Sequence, residues 1–484
     1  MSPVEGLPYL SDNLVTDNCS TGLLSSIRDE LIEICGEDFV ITDQESLYPY
    51  GKDETLDLHF SFDILVKPCT AEEIALVLKC CNNYNIPVTP RGGGSGVTGG
   101  ALPVKRGVVL SLERMNKIIS IHPVDGYVIA EAGVITADLC YEVEKIGLYF
   151  PVAPSSAAYS MIGGNVAENA GSINSCRYGS TAQYVLNLQV VLPTGEIIWT
   201  GANVSKNTSG LNLTQLFVGS EGILGIVTKV VYRLLKKPAH ELSLLAAFES
   251  LEDACEAVKA IKESTVEPVA VELIDHHAIS VTSAYLNEPL PMVKENNKAH
   301  LLILLQEHAE ALLTHSMETT ALLLERYCKE NILIGTTSQE KEKLWKLRLN
   351  IGAALTSGNK KYRDIDIAVP VSGLHSYLLN VKKICLHYHL PVACFGHAMD
   401  GNLHTMLMMN GNIGEEQQKR LSMAANEIYA YALKNGGTIS GEHGIGYLQK
   451  DFMQMQFSEE HLSLMKNIKK LLDPNTILNP GKVV

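Results

Sequence analysis

Apolar residues in the first half of the chain form one helical repeat followed by short strand-like runs. Leucine and isoleucine recur at helical spacing over residues 23–34 and stop before Gly36, which predicts a helix that ends at this glycine. The runs of strand length lie at residues 63–66, 86–89, 108–112, 118–121, 127–130, 189–192 and 197–199. A turn sequence beginning at Pro193 separates the last two of these runs and predicts that they form a hairpin. This pattern predicts an α+β unit that ends near residue 238.

Longer helical repeats alternate with strand-like runs in the second half of the chain. Helical periodicity is present in residues 250–264, 308–329, 339–356 and 413–435. Mostly apolar runs of strand length predict strands at residues 242–248, 269–274 and 301–305. We therefore predict four parts, which are an N-terminal helical segment (1–57), a first domain (58–238), a second domain (239–435) and a final segment (436–484).

Composition and charge narrow the class of protein. Hydrophobic residues make up 46% of the 484 residues and charged residues 19%, which is typical of a soluble globular protein. The net charge of −15 disfavours a nucleic-acid partner, because such proteins use a basic surface. The longest uncharged stretch, residues 146–167, contains prolines and glycines that argue against a transmembrane segment. The eleven cysteines include no CxxC pair, which predicts reduced thiols and a cytoplasmic location, with the inner face of a membrane as an alternative.

Three glycine-rich runs indicate a ligand that is bound through the backbone. The run from Pro90 to Gly100 follows a predicted strand, and bare N–H groups in such a loop form a concave site for phosphate oxygens. The run lacks the Gly-Lys-Ser/Thr sequence of a P-loop, and it lacks the helix that follows a dinucleotide-binding fingerprint. The alternative to phosphate binding is a flexible turn. Similar runs at residues 163–171 and 218–227 suggest a long ligand lying across the domain.

A separate group of polar residues has the composition of a metal site. His397 and His404 flank Asp400-Gly401, which is a hairpin turn signal and predicts that the two histidines lie directly opposite each other. Glu442 lies in a glycine-flanked loop and is the third candidate ligand. Two histidines and one carboxylate suit Zn, Mn or Fe with open coordination positions. The alternatives are two surface histidines beside a turn and a lone Glu-His dipeptide without a metal-binding role.

The order of the motifs resembles that of a known flavoprotein family. The loop PRGGGSGVTGG, the run IGGNVAENAGS, the segment GSEGILGIVT and the closing LNPGK resemble the FAD-binding flavoproteins related to vanillyl-alcohol oxidase and p-cresol methylhydroxylase, over about residues 45–484. They are most similar to the D-2-hydroxyacid dehydrogenase branch. The resemblance implies an α+β fold, with a two-subdomain FAD-binding domain of the p-cresol methylhydroxylase type and an α/β cap domain whose antiparallel sheet is flanked by helices. It also implies that the first helical segment and the final segment pack on the FAD domain.

The resemblance assigns the glycine-rich segments to FAD. Family members with covalent flavin often carry a histidine in the first loop, and this chain has Ser95 there, so non-covalent FAD is expected. The positions that match FAD contacts are Pro90, Arg91, Gly92, Gly93, Gly94, Ser95, Gly96, Thr98, Gly99, Gly100, Pro154, Ser155, Gly163, Gly164, Asn165, Glu168, Asn169, Gly171, Gly179, Glu221, Gly222, Gly225, Ile226, Val227 and Asn479.

The resemblance also assigns roles to the polar residues of the second domain. His397, His404 and Glu442 match the family's metal ligands, and His443 matches its active-site base. Arg348 matches an arginine that holds the substrate carboxylate, and a solvated helix face is the alternative. The chain is therefore expected to hold one divalent metal ion beside FAD.

The activity implied by the resemblance is oxidation of a small anionic D-2-hydroxy acid to the 2-oxo acid. D-Lactate or glycolate is favoured over D-2-hydroxyglutarate, because Gly352 and Asp364 stand where the dicarboxylate enzymes carry a threonine and a lysine. No iron–sulfur motif is present, so the electron acceptor is expected to be an electron-transfer protein, a quinone or dioxygen. D-2-Hydroxyglutarate dehydrogenase, a flavin-dependent alkyl transferase, a metal-dependent hydrolase and a non-catalytic flavin-binding protein are the alternatives. The oligomeric state stays open, with a homodimer as one option.

Overall fold

The computed structural model describes residues 21–287, 292–358, 360–410 and 414–484, and these form two compact units. Unit 1 contains Ile173–Gly179 and Lys237–Glu442. Unit 2 contains residues 21–172, Ser180–Lys236 and His443–Val484. The chain therefore passes from unit 1 to unit 2 between two consecutive residues, Glu442 and His443.

The described strands range from two to nine residues in length. In chain order they are β1 (Val40–Ile41), β2 (Ile64–Val66), β3 (Val88–Arg91), β4 (Val108–Ser111), β5 (Ile118–His122), β6 (Tyr127–Glu131), β7 (Leu148–Tyr149), β8 (Val185–Val191), β9 (Ile197–Trp199), β10 (Ile226–Arg233), β11 (Leu235–Lys236), β12 (His240–Phe248), β13 (Ala270–Asp275), β14 (Ala299–Glu307), β15 (Leu333–Gly335), β16 (Lys360–Ala368), β17 (Val392–His397) and β18 (Asn402–Asn410).

The described α-helices range from one turn to five or more. In chain order they are α1 (Thr21–Cys35), α2 (Gln44–Leu47), α3 (Ala71–Asn83), α4 (Thr136–Glu144), α5 (Ile162–Glu168), α6 (Ser175–Tyr178), α7 (Leu213–Phe217), α8 (Leu251–Glu263), α9 (His276–Leu286), α10 (Glu310–Leu324), α11 (Ser338–Leu349), α12 (Ile351–Thr356), α13 (Leu374–His387), α14 (Glu415–Lys434), α15 (Met453–Gln456) and α16 (Glu459–Leu472). None of the helices in these described ranges has the length and apolar composition needed to cross a membrane.

Unit 2 is built on two main sheets. The first has the order β1-β2-β4-β3, with β2, β4 and β3 parallel, and the second is antiparallel with the order β5-β6-β10-β8-β9. The predicted hairpin at Pro193 is confirmed as β8 and β9. Strand β3 lies at the edge of the first sheet and also pairs with a segment from much later in the chain. Val88 N donates to Ile477 O (2.7 Å), and Asn479 N donates to Val88 O (2.8 Å).

Unit 1 is built on one antiparallel sheet with the order β15-β12-β14-β13-β17-β18-β16. Strands β12 and β14 of this sheet are apolar along most of their length and are buried on both faces. Helices α9, α11 and α12 cover part of it through a core cluster that contains Ile274, Leu347 and Phe395. The antiparallel sheet flanked by helices agrees with the predicted cap domain.

Two predicted elements differ from the structure. Residues 339–356 were expected to form one helix, but Asn350 leaves the helical conformation (φ −100°, ψ 1°) and separates α11 from α12. Residues 163–171 were expected to form a loop, but most of them form α5, which ends where Asn169 adopts a left-handed conformation. Small residues suit this helix because a Cβ on Gly163 would lie 2.6 Å from Cβ of Ala132.

Candidate active site

The two candidate metal-binding histidines lie on neighbouring strands of the unit 1 sheet, and the turn between the strands depends on glycine. His397 ends β17 and His404 lies near the start of β18. The residues Ala398–Asp400 form a 3₁₀ turn that closes with Gly401 at φ 74°. A side chain on Gly401 would overlap the carbonyl oxygen of Val369, so only glycine fits at this position.

The predicted register of this hairpin was wrong by two residues. His404 lies opposite Phe395, whereas a two-residue turn would have placed it opposite His397. The 3₁₀ turn lengthens the connection, which moves the pairing by two positions. Because side chains alternate with a period of two, a shift of two residues leaves them on the same face. The rings of His397 and His404 therefore still approach each other, with centroids 6.1 Å apart.

Glu442 completes the cluster within unit 1. Its Oε1 lies 3.4 Å from His397 Nε2 and 3.3 Å from His404 Nε2. Metal–ligand bonds of about 2.0–2.2 Å place neighbouring ligand atoms about 3–4 Å apart, so this donor set fits one divalent ion. Burial opposes ionisation of Glu442, but the histidine charges and hydrogen bonds outweigh it and lower its pKa well below the usual value.

A buried carboxylate, Glu272 on β13, supports this cluster. Its Oε1 lies 2.5 Å from His397 Nδ1, and its Oε2 accepts a hydrogen bond of 2.5 Å from Arg348 Nε. Burial would raise the pKa of Glu272, but the charges of His397 and Arg348 lower it to about 2. The Arg348 guanidinium also lies 5.1 Å from the centre of the Phe395 ring. Arg348 is thus held inside unit 1, and the expected alternative of a solvated helix face is wrong.

Asp366 on β16 fixes the backbone that carries Glu442. Its Oδ2 accepts hydrogen bonds from the N–H groups of Gly441 (2.9 Å) and Glu442 (2.8 Å), and its Oδ1 accepts one from Asn402 Nδ2 (2.6 Å). Asp366 also pairs with His404 across the β16–β18 ladder. The loop that ends unit 1 is therefore tied to the strands that present the two histidines.

The glycine-rich segments come together in unit 2. A side chain on Gly93 would overlap the carbonyl oxygen of Tyr159, and one on Gly222 would lie 2.9 Å from Pro90 Cγ, so the backbone segments approach closely at these points. At Gly96 and Gly164 the situation is the opposite, because no described atom lies within 4 Å of an added Cβ. Glycine is not needed for packing there, and the bare backbone leaves room for a bound group.

A network of buried polar residues joins these segments to the later part of unit 2. Glu221, at φ 48°, accepts hydrogen bonds from the N–H groups of Ile445 (2.8 Å) and Gly446 (2.6 Å). Asn479 Nδ2 donates to Glu221 O (2.8 Å), and Lys482 Nζ donates to Gly100 O (2.8 Å). Burial lowers the pKa of Lys482 to about 7, although nearby carboxylates oppose this shift.

Most of the remaining predicted cofactor residues also lie in unit 2. Among the predicted cofactor residues, Gly179 belongs to unit 1. His443, the predicted base, belongs to unit 2, where Thr98 Oγ1 donates to the carbonyl oxygen of His443 (3.2 Å). The others lie at the end of β3 and in the loop after it, in an irregular segment, in and after α5, and at the start of β10. They are Pro90, Arg91, Gly92, Gly94, Ser95, Gly99, Gly100, Pro154, Ser155, Asn165, Glu168, Asn169, Gly171, Gly225, Ile226 and Val227.

Two carboxylates that hold the candidate site residues, Glu272 and Asp366, were not predicted from the sequence. Glu272 is a charged residue within the apolar run 269–274, and Asp366 likewise lies between two isoleucines. A charge in a strand that is otherwise apolar is a signal of a buried partner, because an unpaired buried charge is costly. That signal indicates that a partner exists, but the identity of the partner depends on the tertiary fold.

Comparison with known proteins identifies the family. Residues 62–201 match the family described as FAD binding domain, and residues 237–483 match FAD linked oxidases, C-terminal domain. Glycolate oxidase subunit GlcD of Bacillus subtilis is 34% identical over 95% of this chain and 97% of its own length. The chain belongs to the FAD-linked oxidase family. A D-lactate dehydrogenase of Anaerostipes hadrus is also 34% identical to this FAD-linked oxidase, over 87% of the chain and 89% of the relative.

Solved structures show that this FAD-linked oxidase has the p-cresol methylhydroxylase type of fold. Substrate-bound p-cresol methylhydroxylase aligns with a TM-score of 0.77 at 20% identity, over 96% of this chain and 97% of that chain. An alkyldihydroxyacetonephosphate synthase aligns with a TM-score of 0.74 at 18% identity, over 94% and 84% of the two chains. At these identities the likeness concerns the fold alone. The open backbone at Gly96 and Gly164 fits FAD, the cofactor of the family.

Proposed function

We propose that this FAD-linked oxidase converts a small D-2-hydroxy acid, with D-lactate or glycolate favoured, to the 2-oxo acid with the help of a divalent metal ion. The observation that carries the proposal is the group formed by Glu442 Oε1 and the Nε2 atoms of His397 and His404, which lie 3.4 and 3.3 Å from that oxygen respectively. The names of the relatives, a glycolate oxidase subunit and a D-lactate dehydrogenase, support the same substrate class.

The binding of a hydroxy acid is assigned to Arg348. Its Nε is bonded to Glu272, which leaves the two Nη nitrogens for bidentate pairing with the substrate carboxylate. Asp364 lies in the same unit, with Oδ2 3.7 Å from His404 Nδ1. A second carboxylate on the substrate would be repelled by this negative charge, which favours a small monocarboxylic acid.

The chemistry is divided between the protein and its bound groups. When bound, FAD supplies the hydride acceptor, and Zn, Mn or Fe held by His397, His404 and Glu442 supplies positive charge for the substrate oxygens. His443 takes the proton of the hydroxyl group as a general base. Loss of this proton from the hydroxyl oxygen, and of the hydrogen on the carbon that bears this oxygen as a hydride, leaves the 2-oxo acid. An electron-transfer protein, a quinone or dioxygen then reoxidises the enzyme.

Flavin bleaching tests the activity directly. The protein, purified with FAD, is mixed without oxygen with D-lactate, L-lactate, glycolate and D-2-hydroxyglutarate in turn. D-Lactate or glycolate is expected to remove the visible flavin absorbance fastest, while L-lactate leaves it unchanged. Absence of bleaching with every acid would refute the proposal. Preferential bleaching by D-2-hydroxyglutarate would overturn the substrate assignment.

The role of the metal is tested with histidine variants. His397→Ala is expected to lose bound metal and most of its turnover while it retains FAD, because the FAD segments lie in unit 2. His315→Ala is the matched control, since His315 is an exposed histidine on α10 of the same unit. Full dehydrogenase activity in His397→Ala would overturn the metal role.

A further inference from the structure

Glu272 occupies an unusual position for a carboxylate. It lies in the central region of the unit 1 sheet, directly opposite His397 in the β13–β17 ladder, and its side chain is 0% exposed. Both of its oxygens are used, because Oε1 contacts His397 Nδ1 and Oε2 contacts Arg348 Nε. A single buried carboxylate therefore contacts both a candidate metal ligand and the candidate substrate arginine.

Each of the two contacts has a chemical consequence. A carboxylate at Nδ1 of a histidine keeps a proton on that nitrogen, so Nε2 remains the atom that binds metal. A carboxylate at Nε of an arginine fixes the plane of the guanidinium, so the Nη nitrogens point in one direction. Because one buried side chain makes both contacts, displacement of either partner is expected to affect the other.

Stability alone is a weak reason to have a charge at this position. Taking ions out of water is costly, and buried ion pairs can often be replaced by apolar residues of similar volume without loss of stability. The surrounding residues of β13, Val271 and Leu273, are apolar and buried, so an apolar side chain would suit the strand itself. The carboxylate at position 272 is explained by its two contacts.

We propose that Glu272 is a positioning residue that sets the metal affinity of His397 and the substrate affinity of Arg348 together. The inference rests on the proposed function and adds a coupling to it. Loss of the carboxylate weakens metal binding without removal of a ligand, and it weakens acid binding without removal of the arginine.

The test is Glu272→Gln, measured by metal titration of the chelator-treated protein with Zn²⁺ and with Mn²⁺, and by steady-state kinetics with the hydroxy acid that bleaches the wild-type flavin. Metal affinity is expected to fall about 10–100-fold, as for other residues that support metal ligands. KM for the acid is expected to rise about tenfold or more, even at saturating metal, because the guanidinium is no longer held. A merely structural role would change the unfolding temperature and leave both constants unaltered.

Two further variants keep the test decisive. Asp275→Asn is the matched control, because Asp275 is a carboxylate of the same strand that is 1% exposed and caps α9 through the N–H of Ala278 (2.9 Å). It is expected to lose stability and to keep wild-type metal affinity and KM. Glu272→Asp is the substitute if Glu272→Gln fails to fold, because it retains the charge. Aspartate is one methylene shorter, so this variant is expected to show the same two defects in weaker form.

The outcomes distinguish a failure of the positioning role of Glu272 from a failure of the proposed function. If folded Glu272→Gln keeps the wild-type metal affinity and KM, the positioning role is overturned and the proposed function stands. The same conclusion follows from wild-type constants in Glu272→Asp, if only that variant folds. A wild-type protein that takes up no metal and is bleached by no hydroxy acid would overturn the proposed function and the inference together. A defect in KM that disappears at saturating metal would overturn the coupling to Arg348.

Discussion

At the scale of single residues, the candidate site depends on groups that are not themselves candidate ligands. The candidate metal ligands were predicted from residue type and spacing, since two histidines around a turn signal are readable in the sequence. The exact pairing of the hairpin was not, because a shift of two residues keeps the same alternation of side chains. Glu272 and Asp366 were not predicted either, because their partners lie far away along the chain. Arg348 and His397 lie 76 and 125 residues from Glu272, and the N–H groups of residues 441 and 442 lie 75 and 76 residues from Asp366.

Replacement of Gly401 tests the turn between the two histidines. Gly401→Ala is expected to lower the unfolding free energy by more than about 1–2 kcal/mol, since a left-handed conformation is costly for other residues and the added Cβ overlaps Val369 O. Metal affinity should fall with it. Denaturant unfolding and metal titration measure the two effects.

Gly352→Ala is the matched control for this glycine. Position 352 is helical, and no described atom lies within 4 Å of an added Cβ. Alanine is therefore expected to stabilise the protein by about 0.5–1 kcal/mol. Equal effects of the two substitutions would contradict the assigned role of Gly401.

Asp366→Asn tests the support of Glu442. The amide can present only one acceptor oxygen, so either the Asn402 contact or the two backbone N–H groups of residues 441 and 442 lose their partner. Metal affinity is expected to fall several-fold although all three ligands are retained. Isothermal titration with Zn²⁺ measures this change, and an unaltered affinity would show that the loop holds Glu442 without Asp366.

At the scale of secondary-structure elements, helix α11 shows which features are local. Its start follows a capping box, in which Thr337 accepts from the N–H of Glu340 and the Glu340 carboxylate accepts from the N–H of Thr337. Local signals of this kind, like the hairpin turn at Pro193, are readable because they depend on neighbouring residues. The break at Asn350 was not readable, because the apolar spacing continues through it into α12.

Thr337→Ala tests the cap of the helix that carries Arg348. Loss of the capping hydroxyl is expected to cost about 1 kcal/mol in unfolding free energy. Ser338→Ala is the control, since this exposed first residue of α11 should change stability by less than about 0.5 kcal/mol. Chemical denaturation measures both. A cap variant as stable as its control would mean that packing alone sets the start of α11.

The charge of Glu340 gives this cap a pH dependence. Hydrogen bonds from the N–H groups of Thr337 and Thr336 lower the pKa of Glu340 from 4.5 to about 2. Its stabilising effect is therefore full above pH 4.5 and is lost as the pH falls towards 2. Glu340→Gln keeps an acceptor oxygen without the charge, so the difference in stability from wild type should shrink over this range. A difference that is constant with pH would contradict the assignment.

At the scale of the whole molecule, the two kinds of ligand belong to different parts of the chain. The residues assigned to the metal lie in unit 1, and those assigned to FAD lie in unit 2 with the exception of Gly179. This division was only approximately readable from the sequence. The expected boundary at residue 435 followed a helix end, whereas the structure places the change of unit between Glu442 and His443, a point set by tertiary contacts.

Hydrogen exchange can distinguish the two sites in the intact protein. Removal of metal is expected to increase amide exchange in peptides covering residues 396–404 and 440–442, and removal of FAD to increase it in residues 92–100 and 163–171. Strand β14 is the internal control, because it is buried in the middle of the unit 1 sheet and should stay protected in both cases. Increased exchange at residues 92–100 on metal removal alone would contradict this assignment.

The pairing of β3 with residues 477–479 has a consequence for how the protein is made. Val88 leaves the ribosome long before Ile477 and Asn479, so the nascent chain exposes the edge of β3 until most of the protein has been synthesised. The unpaired N–H and C=O groups of an exposed strand edge can form hydrogen bonds with other chains and cause aggregation. The first half of the chain therefore depends on protection during translation, and synthesis that stops before residue 477 should yield aggregates rather than a smaller folded flavoprotein.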